Sequence, residues 1–203
     1  MDHKLIRSNA RYVLKNNFLK IWIAHLIVEL ISLPFLMMAY YVTENGSLAE
    51  SIIVVIALLL LLPLNMGLYK YYLDLVRGKI ATYKSLFSYF GSFGTILLAI
   101  IILNLIVGIG SILIIPGIIF SLMYVQVFYI IVDDEELNAF QSLKKSRELM
   151  KGYKLDYVIF NLKFIGWILL AIFTGGIASV FVIPYLIIAQ TKYYDNLIEL
   201  NKN

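Results

Sequence analysis

His25, Glu29, Asn104 and Lys163 are among the residues of this chain that carry charge or a strong dipole inside long apolar runs. Apolar surroundings penalise such groups unless a partner or a function holds them there, so they are the first candidates for chemistry. His25 and Glu29 are four residues apart, on one face of a helix, and can share a proton or a hydrogen bond. Lys163 interrupts a later run, and a Glu29–Lys163 contact between helices would neutralise both charges. Asn65, Asn104 and Gln126 add dipoles able to cross-link helices or line a cavity. Together Glu29, His25, Asn104 and Lys163 are the lining expected of a midplane site for a small solute or ion. The plainer alternative is a protonated Glu29 bonded to His25, with Lys163 snorkelling to the headgroups. His25 and Glu29 would supply part of a metal site, but the other histidine is His3 and a third ligand is missing, so no metal is expected.

A second set is cationic: Lys144, Lys145, Arg147 and Lys151, at the end of a stretch that opens with Asp133, Asp134, Glu135 and Glu136. Acid first and base last complements a helix dipole. Leu137, Phe140, Leu143 and Met150 form an apolar stripe along it. The expectation is an amphipathic interfacial helix over about 133–150, whose four cations contact anionic lipid. Four successive acids point around the whole circumference of a helix and cannot converge on one ion. The chain carries no HExxH, GxSxG, phosphate-cradling loop or dinucleotide fingerprint, and no cysteine. No enzyme activity and no cofactor are therefore expected.

The elements that must position these groups are membrane spans. The apolar share is 61%, the charged share 15% and the mean hydropathy +0.85, well beyond what a soluble domain of this length hides in a core. The net charge of +4 does not point to nucleic acid, because the basic residues lie between apolar runs. Runs near the 20 residues needed to cross a bilayer lie at about 18–42, 51–72, 94–114, 116–132, 155–173 and 176–194. The first is too long for a signal-peptide core. A single helix over runs three and four would be about 39 residues and roughly 58 Å long, too long for a bilayer, so the break from Gly108 to Gly117 is expected to be a hairpin. The fold class expected is all-α: a polytopic transmembrane bundle, six spans in three hairpins, forming one integral membrane domain over 1–203 with cytoplasmic amphipathic helices.

In that arrangement all 17 Lys and Arg fall on one side, from Lys4 to Lys202, while the opposite loops hold only Glu44 and Glu50. The positive-inside rule makes the basic side cytoplasmic, with both termini. Tyr12, Tyr69, Tyr71, Tyr72, Tyr83, Tyr89, Tyr129, Tyr153, Tyr157, Tyr193 and Tyr194 cluster at the same ends, as an interfacial aromatic belt would, and Tyr40 and Tyr41 mark the outer end of the first span. A weak internal repeat runs through the hairpins: Pro63, Pro116 and Pro184 each interrupt a second span, and Asp74 and Asp195 each follow their proline by 11 residues.

From Ala139 to Leu197 the chain resembles a bacterial membrane family, domain of unknown function 975. The resemblance rests on Ser146-Arg147-Glu148-Leu149-Met150-Lys151-Gly152, Phe164-Ile165-Gly166-Trp167, Thr174-Gly175-Gly176-Ile177, Pro184-Tyr185 and Tyr193-Tyr194, with Leu75-Val76-Arg77-Gly78 and Ile115-Pro116-Gly117-Ile118 upstream. It implies a six-span integral membrane protein and no established activity. More distantly the layout is similar to the membrane domain of some glycerophosphodiester phosphodiesterases, whose soluble catalytic domain has no counterpart here. The expected function is that of a non-enzymatic protein of the bacterial cytoplasmic membrane. It would bind membrane lipids, a protein partner or a second copy of itself, in envelope homeostasis or protection. The alternative is a small-solute or ion transporter or channel using the midplane polar site.

Overall fold

The computed structural model describes residues 1–201, without the side chains of residues 43–45; Lys202 and the Glu44 side chain thus lie outside the described residues. Every described element is helical. Helix α1 (His3–Asn45) is followed by α2 (Leu48–Leu59) and α3 (Leu62–Val76), then a 3₁₀ segment (Tyr83–Ser92) that leads into α4 (Phe93–Ser111). Next come α5 (Ile114–Tyr124), α6 (Val127–Asp133), α7 (Ala139–Leu149), α8 (Lys154–Leu162), α9 (Ile165–Phe173) and α10 (Ser179–Leu200).

Local chemistry sets these boundaries. Asp2 caps α1 by accepting from the backbone N–H groups of Lys4 and Leu5. Asn17 breaks α1 at φ −129°, one residue before the expected span, and its amide donates to Val13 O at 3.1 Å. The amphipathic N-terminal stretch is therefore continuous with the first span and bends where the apolar run begins. Ser47 and Glu50 cap α2 reciprocally. Pro63 sits in the first turn of α3, where its missing N–H is harmless, and so separates α3 from α2. Gly175 and Gly176, at φ +61° and +90°, turn the chain between α9 and α10.

Proline inside α10 has a visible remedy. Pro184 cannot donate to the carbonyl of Val180, and the Trp22 indole N–H takes its place at 2.8 Å. That bond pins α1 to α10, along which α1 packs. Helices α4 and α5 form the expected hairpin, tight enough that a Cβ on Gly117 would lie 2.8 Å from Ser111 Cα. Gly67 admits the 3₁₀ segment against α3: a Cβ there would fall on the Leu86 backbone.

Among the described residues, five helical stretches are long and apolar enough to cross a membrane, four of them joining successive elements: His3–Val42, Leu48–Val76, Tyr83–Ser111, Ile114–Asp133 and Lys154–Phe173. The region of the sixth expected run is the helix α10, which is outside that set. Gln190, Lys192, Asp195, Asn196 and Glu199 make its second half polar.

Two expectations change. The acidic run does not open the helix at 133. Asp133 ends α6, and α7 begins at Ala139 because Asn138 and Gln141 cap it reciprocally. The inner tyrosines are a belt only in part. Tyr71, Tyr72, Tyr89, Tyr193 and Tyr194 are all buried in the core, while Tyr12 and Tyr40 are exposed. Partners exist for the buried hydroxyls, which is what allows tyrosine into a core.

Candidate functional site

The densest polar geometry lies where α3, α6 and α10 end. Arg77 follows the last residue of α3, and its planar guanidinium forks onto the two other helices. Nη2 donates to Asp133 Oδ2 at 3.0 Å, Nη1 donates to Asp133 Oδ1, and Nε donates to Asp195 Oδ1 at 2.8 Å. The Tyr194 hydroxyl donates to Asp133 Oδ2 at 2.9 Å, and Lys192 Nζ lies 3.6 Å from Asp195. The hydrogen bonds from Arg77 to Asp133 and then Asp195 outweigh burial and hold the guanidinium above its already high ordinary value. Two cations therefore face two carboxylates, and the cluster is neutral.

Aromatic rings pack beneath it. Tyr129 stacks on Tyr194 at 5.1 Å and meets the edge of Tyr69 at 4.8 Å. Its hydroxyl is 3.2 Å from Thr191 Oγ1. Tyr89 donates towards Val132 O and Glu135, each at 2.9 Å. Lys145 pairs with Asp134 at 3.1 Å. A cleft of about 710 Å³ opens over Arg77, Asp133, Asp134, Lys145 and Lys192. Arg77, Lys145 and Lys192 pair with Asp133, Asp134 and Asp195 here, so the arrangement ties three helices together and commits its cations within the protein, while Glu199 also lines the cleft.

A second cluster joins α1 to α8. Lys163 Nζ lies 2.7 Å from His3 Nδ1, and His3 Nε2 lies 3.0 Å from Asp156 Oδ1. An ammonium only donates, so Nδ1 is the acceptor in that contact, while the buried Nε2 lies near the aspartate without a well-formed hydrogen bond. Tyr193 donates to the other Asp156 oxygen at 2.9 Å.

The sequence-derived candidates do not converge. His25 and Glu29 stay together, 3.6 Å apart, with the Tyr72 hydroxyl 3.2 Å from His25 Nδ1. Glu29 is 59% exposed, and Lys163 is committed to His3 rather than to Glu29. Asn104 donates to Ile100 O on its own helix and lines a separate groove of about 400 Å³ with Tyr69 and Phe128. The four residues thus occupy three places, because each is held by a neighbour on its own or an adjoining helix. Among the described residues no group of three or more metal-ligating side chains comes together.

The cationic set divides as well. Lys145 turns towards Asp134, while Lys144, Arg147 and Lys151 line a groove of about 460 Å³ with Lys154 and Glu148. None of Lys144, Arg147, Lys151 and Lys154 has a carboxylate within 4 Å among the described residues. Sequence reasoning marks Asp195 through the weak repeat and Asp133 through the acidic run, but gives the arginine no role beyond the resemblance. The signal available was Arg77 itself, a cation directly after the end of a helix, whose partners are 56 and 118 residues away.

Among its described residues this chain is thus all-helical, with five helical stretches long and apolar enough to cross a membrane, knotted at one end by an arginine and two aspartates. Residues 111–201 match the model of a family described as protein of unknown function DUF975, which supports the family resemblance over that part of the chain. No curated protein and no solved structure matches it.

Proposed function

We propose that this is a six-span protein of the bacterial cytoplasmic membrane, with both termini in the cytoplasm, and that it acts by binding rather than by catalysis. Its ligand is anionic lipid held on the basic face of α7, in a role in envelope homeostasis or protection. One observation carries this reading: the groove beside α7 gathers Lys144, Arg147, Lys151 and Lys154 without partners for them. Unpaired cations beside a membrane surface attract anionic lipid by about 1 kcal/mol each. Glu148 offsets one of the four. Asn138 and Gln141 fix the start of α7, and Ser146 bonds Met123 O at 3.0 Å, so the groove is rigidly mounted on α5.

The six-span topology draws support from the Arg77 knot, since the C-terminal ends of α3 and α6 meet α10 at one place. The chain has no cysteine, so single cysteines at Lys79, Glu136, Gly46 and Gly176 can be labelled without background. Lys79 and Glu136 should react only from the cytoplasm and Gly46 and Gly176 only from outside. Cytoplasmic labelling at Gly176 would remove the sixth span. Binding is tested by native mass spectrometry from mild detergent. Anionic lipid should remain on the wild-type protein, and Lys144→Gln, Arg147→Gln and Lys151→Gln combined should lower the number of anionic lipids retained. The reading fails if the bare protein appears and added anionic lipid leaves its thermal stability unchanged.

A further inference from the structure

A second, independent feature shares no residue with the α7 groove and lies where α1 packs on α10 beside α9. A groove of about 650 Å³ is lined there by Phe18, Trp167, Phe181 and Tyr185, with Arg11 and Lys15 at its edge. Tyr185 is the anchor. Its ring meets Trp167 edge-on at 6.0 Å, while the Arg11 guanidinium lies over it at 5.5 Å and donates through Nε to its hydroxyl at 3.2 Å. Phe18 and Phe181 stack at 5.5 Å and close one end.

The charges are out of balance. No acidic side chain lines the groove, Arg11 has only a tyrosine for partner, and Lys15 has no ion pair among the described residues. They are also displaced from the polar end of the bundle. Tyr185 is ten residues before Asp195 on α10, about 15 Å along the helix. Alongside runs α9, apolar throughout and with no buried residue. Two uncompensated cations beside such a surface require an anion with an apolar body, which is the chemistry of a phospholipid.

We infer that α1, α9 and α10 form a site for an anionic phospholipid of the surrounding bilayer, its phosphate held by Arg11 and Lys15 and an acyl chain lying across Trp167, Phe18 and Phe181. This rests on the membrane placement proposed above but not on the α7 groove. Trp167, 39% exposed, reports on it directly. The chain has two tryptophans, so a Trp22→Phe protein carries a single fluorophore, in the groove. It is reconstituted into vesicles of phosphatidylcholine containing a minor fraction of lipid brominated on its acyl chains, either phosphatidylglycerol or phosphatidylcholine. Fluorescence should be quenched with a preference for the anionic lipid of roughly thirtyfold, about fivefold per cation. Lys15→Gln, which breaks no bond within the protein, should lower the preference about fivefold. Arg11→Lys should largely retain it, and Arg11→Gln with Lys15→Gln should abolish it. Lys144→Gln with Arg147→Gln should leave it unchanged. Equal quenching by the two brominated lipids, or a preference that survives both Gln substitutions, overturns the site while leaving the membrane placement standing. No quenching by either lipid overturns the membrane placement as well.

Discussion

The two ends of the helices are built on opposite principles. At the Arg77 end, side chains from α3, α6 and α10 interlock, and Tyr71, Tyr89, Tyr193 and Tyr194 are buried to within 1%. At the α4–α5 turn, Ile109, Ile112, Leu113, Ile114 and Ile115 are exposed, and at the α9–α10 turn so are Phe173 and Ile177. On the proposed membrane placement the contrast has a simple cause. Lipid accepts isoleucine as readily as protein does, so apolar residues at the hairpin tips gain little from packing. Buried hydroxyls, carboxylates and guanidinium groups have no such choice, and each must find a partner in the protein. Specific tertiary structure therefore concentrates where polar groups meet, and the apolar ends are specified mainly by length and by their turns.

That contrast can be broken or sharpened by substitution. The largest effect should come from Arg77→Met. It leaves Asp133 without a cation and Asp195 with Lys192 alone, and stability in mild detergent should fall by about 3–4 kcal/mol. Thermal unfolding followed by tryptophan fluorescence would measure it, and a loss below about 1 kcal/mol would show that the knot is decorative. Gly67→Ala should be next, at about 1–3 kcal/mol, because its methyl group meets the Leu86 backbone rather than a movable side chain. Trp22→Phe should cost about 1 kcal/mol by leaving Val180 O without a donor. In a Pro184→Ala background, where the helix can supply that donor, the cost should shrink. An unchanged cost there would mean that the indole acts by packing alone.

Smaller still should be Leu113→Ala at the exposed α4–α5 turn, within about 0.5 kcal/mol in detergent. An effect as large as that of Arg77→Met would erase the distinction between the ends. Last comes pH. Backbone N–H groups, Leu5 first and then Lys4, hold the Asp2 carboxyl below the usual aspartate range. Its cap is therefore fully stabilising above the ordinary aspartate value and is lost as pH falls through the lower, folded one. Asp2→Asn should remove that small acid dependence from the melting curve of α1, read by circular dichroism between pH 5 and pH 2.

Much of the architecture was legible in the chain itself. Runs of apolar residues mark where helices lie, and Gly108 to Gly117 and Thr174 to Gly176 mark their turns, because backbone breaks and hydrophobic length are local properties. The kink at Asn17 falls beside the expected start of the first span at Phe18. The acidic run from Asp133 to Glu136 was misassigned to a helix start because Asn138, with Gln141 three residues on, is the stronger cap. The candidate site was less legible. His25 and Glu29 are neighbours on one turn, and their contact follows from spacing. Lys163 takes His3, 160 residues away, instead of Glu29. Arg77 takes two aspartates that only the docking of α6 and α10 brings within reach, and Arg11 lies over Tyr185 only because α1 bends and packs along α10. The sequence by itself determined helix content, turn positions and the asymmetry of charge, all set by interactions within a few residues or by the bulk preference of apolar groups. Which polar group meets which was decided only by tertiary structure, since burying a charge makes its partner obligatory while leaving that partner's place in the chain free.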